Sequence, residues 1–146
     1  EPVIARLNAM KLDGGASPFT NRLAAGYYAR HGDGHVTSLI DVYRRKRDAL
    51  VNGLEAAFAE IPHLKPVWRV PNGGFFLWMR LPEGIDPVRV AKEAGDRGVA
   101  YVGGPAFFPD GSGREYVRLA WSMLSEADLV AAAHEIAASI RAAAAA

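Results

Sequence analysis

The stretch Val67-Trp68-Arg69-Val70-Pro71-Asn72-Gly73-Gly74-Phe75-Phe76-Leu77-Trp78-Met79-Arg80-Leu81 decides what kind of fold this chain adopts. Before it, apolar residues recur at helical spacing; here the pattern changes to period two. Val67 to Val70 reads as a short strand, Pro71-Asn72-Gly73-Gly74 as a turn, and Phe75 to Leu81 as a strongly apolar strand. Both faces of that strand carry large side chains, which predicts burial on both sides. Further on, Asp86-Pro87 joins an N-cap to a first-turn proline and opens a helix that Gly98 closes. Val99 to Val102 and Glu115 to Trp121 are two more strands, separated by a loop rich in glycine and proline from Gly103 to Gly113. Ser125 with Asp128 resembles a capping box for a last helix that keeps Leu129, Ala133, Ile136 and Ile140 on one side. The run Ala142 to Ala146 reads as its frayed end.

Toward the N-terminus the reading is helical. Glu1 to Leu12 forms a short helix, and Asp13-Gly14-Gly15-Ala16-Ser17-Pro18 breaks it. A second helix runs from Pro18 to Arg30 and is expected to stop at Gly32-Asp33-Gly34. A long helix follows from about Val36 to Ile61, with Val36, Ile40, Tyr43, Leu50, Leu54 and Phe58 on one side. Asp41 with Arg45, and Arg44 with Asp48, are opposite charges four apart on its wet side. The resulting class is α/β (α+β): a two-layer small domain with a short mixed or antiparallel sheet and flanking helices, preceded by a long connecting helix. Three segments emerge: a helical one at 1–34, the connecting helix at 35–61, and the small domain at 62–146.

The chain has 146 residues, 50% hydrophobic and 23% charged, which suits a folded domain and excludes disordered and collagen-like classes. Seventeen basic residues against sixteen acidic ones leave a formal charge of +1, which argues against nucleic acid or an anionic membrane as partner. Without cysteine there is no disulfide, thiolate metal site or cysteine nucleophile. The apolar runs are too short to span a membrane. Glu1-Pro2 carries no signal-peptide pattern and reads as a cut edge.

Arg118 is the most informative residue. It lies mid-strand between Val117 and Leu119, and alternation turns it to the face opposite theirs. Three readings stand: an ion pair with an internal Asp or Glu, a half-exposed strand residue, or a fork that receives a ligand carboxylate. The residues alone favour the first two, since arginine is usually exposed or paired. Gly73-Gly74 is either a turn with positive φ or a close approach to a ligand, and Gly103-Gly104-Pro105 either a loop or an anion-binding run of amides. His31 and His35 are four apart, but the intervening glycines are expected to break the helix that would align them. His63 and His134 have no partner at ligand spacing, so no metal is expected. Phe75, Phe76, Trp78, Phe107 and Phe108 read as core and loop anchors.

Taken in order, several segments resemble the C-terminal part of fold-type-I (class I/II) pyridoxal-phosphate-dependent aminotransferases. They are Leu12-Asp13-Gly14-Gly15 with Ser17-Pro18-Phe19, Tyr43-Arg44-Arg45-Lys46-Arg47-Asp48, Pro71-Asn72-Gly73-Gly74-Phe75-Phe76, Gly98-Val99-Ala100-Tyr101-Val102-Gly103-Gly104, and Val117-Arg118-Leu119-Ala120. The likeness is nearest to the bacterial 2-aminoadipate-type and broad-specificity branch. It implies that Arg118 binds the α-carboxylate of an amino acid or 2-oxo acid, and it reverses the preference for an ion pair. It also implies pocket positions at Gly73 and Gly74, and more weakly at Ser17, Phe19, Gly103, Gly104 and Phe107. A homodimer in the cytoplasm is implied as well. The cofactor, pyridoxal 5'-phosphate, is bound in that family mainly by a large domain, through a lysine in a Ser-x-Ser-Lys-type motif expected upstream of Glu1. Lys11, Lys46, Lys65 and Lys92 stand in no such setting, so the chain by itself is expected to contain no catalytic residue and not to transaminate. Two alternatives are an effector-sensing, aminotransferase-like part of a transcription regulator and a small-ligand binding module without catalysis.

Overall fold

The computed structural model describes residues 2–10 and 16–145, so the expected break at Asp13-Gly14-Gly15 lies outside the described residues. Chain contacts divide it into two compact units, Glu1–Leu39 and Ile40–Ala146.

The first unit is helical. Helix α1 spans Pro2–Met10 and buries none of its residues. Helix α2 begins at Pro18, where the Ser17 carbonyl accepts the Asn21 N–H at 2.9 Å, and it runs to Ala59. The stop expected at Gly32-Asp33-Gly34 is therefore absent, and neither glycine takes a positive φ. A glycine costs a helix interior only about 1 kcal/mol, which flanking turns can outweigh. Here Tyr28 packs over Gly32, with its ring carbon 3.1 Å from where a β-carbon would stand, and the Thr37 hydroxyl donates to the Asp33 carbonyl at 2.9 Å. Continuity aligns His31 and His35 after all: the Tyr27 ring lies 5.2 Å from one and 5.5 Å from the other, and its hydroxyl meets His35 Nδ1 at 3.2 Å. No cluster of three metal-ligating side chains occurs among the described residues.

In the second unit, the remainder of α2 leads through a 3-10 turn at Pro62–Leu64 into strand β1 (Val67–Trp68) and strand β2 (Phe76–Arg80). Helix α3 (Pro87–Asp96), strand β3 (Val102–Gly103), strand β4 (Tyr116–Ala120) and helix α4 (Glu126–Ala144) follow. The strands lie in the order β1-β2-β4-β3, and every neighbouring pair is antiparallel. Asp86 caps α3 by accepting the Val88 N–H at 3.0 Å, and Gly98 ends it with φ +77°. Ser125 caps α4 through the Asp128 N–H and donates its hydroxyl to the same residue's carboxylate.

Helices α2, α3 and α4 cover one sheet face. Leu50, Leu54 and Phe58 of α2 meet Leu77 and Met79 of β2, Val117 and Leu119 of β4, Val90 of α3, and Leu129, Ala133, Ile136 and Ile140 of α4. Gly53 lets α2 approach α4: a β-carbon there would stand 3.0 Å from that of Ala133. The basic run of α2 fastens two loops. Lys46 Nζ donates to the Ser122 carbonyl at 3.0 Å, Arg47 Nη1 to the Pro71 carbonyl at 3.2 Å, and Arg45 Nε to Glu126 at 3.1 Å. The predicted pairs four residues apart give way to these contacts, with Arg44 reaching back to Asp41 and Arg47 bound to Asp48.

One expectation fails in a way that matters. Only Leu77 and Met79 of β2 are buried; Phe76 and Trp78 remain 43% and 37% exposed. The helices cover a single face, so the other face of the sheet keeps its large side chains open.

Candidate functional site

The open face centres on Arg118. In β4 the alternation Val117-Arg118-Leu119 sends the two apolar side chains into the core and the arginine outward. Trp78 of β2 and Val102 of β3 stand opposite Arg118 on its two neighbours. Its guanidinium carbon lies over the Phe76 ring at 3.9 Å from the centre and over the Phe107 ring at 4.5 Å. Both are within cation–π range.

No acidic side chain among the described residues pairs with Arg118, and its Nε is buried without a hydrogen-bond partner. The internal ion pair read from the sequence is therefore not made among these residues, and Arg118 is half-buried, as the other structural reading has it. A guanidinium held over aromatic rings keeps its charge and its planar fork while its position is fixed. Such a group can take a carboxylate through two parallel N–H···O bonds.

Phe107 ends a 3-10 turn at Gly104–Phe107, and the start of that turn depends on glycine. A β-carbon on Gly104 would collide with the Gly113 carbonyl, and one on Gly113, at φ +74°, with the Phe108 ring. Gly103 pairs with Val117 in the sheet. The loop is thus clamped backbone to backbone, which delivers Phe107 to the arginine. Trp78 extends the aromatic surface, 5.4 Å from Phe107 edge to face and 5.4 Å from Tyr116 in a stack.

Gly73 and Gly74 are exposed, with open space where either β-carbon would go. Gly74 takes φ +82°, so the turn reading accounts for it. The residues around this turn are held by Arg47 at the Pro71 carbonyl and by the Tyr43 ring, 4.8 Å from Phe75. Ser17 and Phe19 belong to the first unit, where both are exposed. The sequence singles out Arg118, and the resemblance Phe107, whereas Phe76 and Trp78 read as core and loop anchors. The signal that corrects this is Arg80, which shares their parity on β2 and marks that face as wet.

No protein-family model matches the chain. Over 94 residues it is 36% identical to aromatic-amino-acid aminotransferase 1 of Thermococcus litoralis, an overlap of 64% of this chain and 22% of that protein. Over 136 residues it is 33% identical to the HTH-type transcriptional regulator YisV of Bacillus subtilis, an overlap of 88% of this chain and 26% of the regulator. Its fold matches the crystal structure of an alpha-aminoadipate aminotransferase from Thermus thermophilus with a TM-score of 0.76, over 84% of this chain and 31% of that one. That structure is a complex with N-(5'-phosphopyridoxyl)-L-leucine; at 24% identity the likeness concerns the fold alone. The chain thus spans 22% and 26% of the length of these two curated relatives.

Proposed function

We propose that this chain, whose relatives in sequence and fold include aminotransferases, is the C-terminal, substrate-carboxylate-binding portion of a pyridoxal-phosphate-dependent aminotransferase. The observation that carries this reading is Arg118: a strand-held guanidinium, set over Phe76 and Phe107, with no acidic partner among the described residues. In the complete enzyme an amino group passes between an amino acid and a 2-oxo acid, and Arg118 receives the α-carboxylate of either. With Nε buried, the carboxylate meets the Nη1 and Nη2 end of the fork. The rigid strand fixes the carboxylate and thereby orients the adjoining Cα, which is where positioning lowers a barrier. A cytoplasmic homodimer belongs to the same reading.

The described residues of this chain do not fit the cofactor itself. Lys46 is bound to the Ser122 carbonyl, Lys65 to Glu55 and Lys92 to Asp96, so each described lysine is engaged as a cation. No step through pyridoxal phosphate is assigned to them.

The test is calorimetric titration of the chain with 2-oxoglutarate. Arg118→Gln is expected to weaken binding about tenfold or more, as loss of a charge-assisted pair would. Arg118→Lys restores only part of it, because an ammonium lacks the planar fork. Equal affinity for wild type and Arg118→Gln overturns the assignment.

A second reading has an observation of its own: the regulator overlap takes in 88% of this chain, against 64% for the enzyme above. In that reading the same arginine senses a carboxylate effector instead of positioning a substrate. The reading frame upstream of Glu1 separates the two. A Ser-x-Ser-Lys-type motif without a DNA-binding domain favours the enzyme, and a basic winged-helix domain favours the regulator.

A further inference from the structure

The chain contains the dipeptide Asn-Gly twice, at Asn52-Gly53 and at Asn72-Gly73, and the fold treats the two in opposite ways. Asparagine is a chemically labile residue. A glycine after it lets its side chain meet the next backbone nitrogen, because no β-carbon stands in the way. In α2, Gly53 is buried and its N–H belongs to the helical ladder. A β-carbon there would stand 3.2 Å from the Val130 Cα, so α4 fixes this stretch of backbone as well. Asn72 and Gly73 lie instead in the exposed turn between β1 and β2, outside every strand pairing.

Neither the Asn72 side chain nor the Gly73 N–H forms a hydrogen bond among the described residues. Nothing stands within 4 Å of the place a Gly73 β-carbon would take. The turn is pinned on both sides of this pair. Arg47 Nη1 holds the Pro71 carbonyl at 3.2 Å, and the Phe75 carbonyl accepts the Trp121 N–H at 3.1 Å. Between the pins, Asn72, Gly73 and Gly74 are the residues left free to rotate, and the attacking nitrogen is not tied to an acceptor.

We infer that Asn72 is a site of self-modification, converting through a cyclic imide to isoaspartate and aspartate, while its helix protects Asn52. The Gly73 backbone nitrogen gives its proton to hydroxide and attacks the Asn72 Cγ. The new C–N bond closes the imide ring, and the side-chain nitrogen takes a proton from water and leaves as ammonia. Water then opens the ring at either carbonyl, its hydroxyl going to the carbon and its hydrogen to the freed nitrogen. No oxidant or reductant is consumed. The formal charge of the chain falls from +1 to zero, and isoaspartate also inserts a methylene into the backbone. That backbone leads into Phe76, whose ring centre lies 3.9 Å from the Arg118 guanidinium carbon. Conversion therefore loosens the seat of the arginine, a consequence that rests on the carboxylate-binding role proposed for it.

The experiment ages the folded chain at mildly alkaline pH and follows its tryptic peptides by mass spectrometry. The mass gain of an amide-to-acid exchange is expected at Asn72 about tenfold or more faster than at Asn52, and the two rates converge in urea, where neither pair is held. Equal rates in the folded chain, or an Asn72 that converts only in urea, overturn the proposal. Gly73→Ala slows the conversion about tenfold, with the fold checked by circular dichroism, and an unchanged rate overturns attack by this nitrogen. Fresh and aged chains are then titrated with 2-oxoglutarate. The aged chain binds about threefold more weakly, whereas aged Asn72→Gln, whose longer side chain does not close the same ring, binds as when fresh. Equal affinity of fresh and aged wild type overturns the link to the arginine. A fresh chain that does not bind overturns the role of Arg118 instead, and the masses still decide the modification of Asn72.

Discussion

On β2, Leu77 and Met79 face the helices and are almost wholly buried, while Phe76 and Trp78 alternate with them on the face of Arg118 and stay open. The two faces are similarly apolar in composition, so hydrophobicity does not distinguish them. What distinguishes them is what covers each one. Helices α2, α3 and α4 converge on the inner face and convert apolar area into stability, at about 1.5–3 kcal/mol per fully buried large side chain. Among the described residues of the second unit, the turn that ends in Phe107 lies on the outer face, and there the aromatic area surrounds a cation. One face holds the fold together, and the other keeps a charge in place.

That contrast is open to attack by substitution. Leu77→Ala on the inner face is expected to cost about 2–5 kcal/mol, read as a lower denaturation midpoint. Phe76→Leu, its neighbour on the outer face, is expected to cost about 1 kcal/mol or less; equal losses at the two positions would erase the distinction. Gly104→Ala forces a side chain against the Gly113 carbonyl and should cost about 1–3 kcal/mol, while also weakening 2-oxoglutarate binding by displacing Phe107. Stability loss without any change in binding would show that the clamp does not serve the arginine. Arg118→Gln should move the other way, lowering carboxylate affinity about tenfold while unfolding shifts by about 1 kcal/mol or less. A smaller effect is expected of Phe107→Leu, about threefold in affinity, from loss of one cation–π contact.

A separate effect concerns alkaline pH. Tyr101 has its pKa raised by burial from 10.0 to about 12, so the folded protein holds this proton where the unfolded chain has begun to release it. Its contribution to stability is complete below pH 10 and is lost as the pH rises toward 12. Tyr101→Phe should flatten the stability profile across that window, as followed by urea unfolding. An unaltered slope would assign the alkaline loss to other groups.

The periodic segments with explicit ends were legible in the sequence. Asp86-Pro87 and Gly98 bound α3, Ser125 opens α4, and the buried positions of α4 include the four expected from spacing. What stayed illegible depended on neighbours. Gly32 and Gly34 read as a stop, because glycine is a local signal; helical continuity and the Tyr28 contact override it. Phe75 to Leu81 read as buried on both faces, because a run of large side chains does not say how many layers will cover it. Arg118 stood out by its apolar setting, whereas the rings beneath it could be found only from the register that pairs β4 with β2 and from the turn that returns Phe107.

Two of the three tryptophans, Trp78 and Trp121, differ sharply in exposure and can serve as optical reporters once the half-buried Trp68 is replaced by phenylalanine. Trp121 is 1% exposed and sits in the core, while Trp78 is open beside Arg118. A water-soluble quencher such as acrylamide should reach the second and spare the first, so the fluorescence divides into a protected and an accessible fraction. Ligands arriving at the arginine should alter the accessible fraction, and global unfolding should abolish the protected one. In the Trp68→Phe chain one spectrum can therefore separate occupancy from stability without any added label.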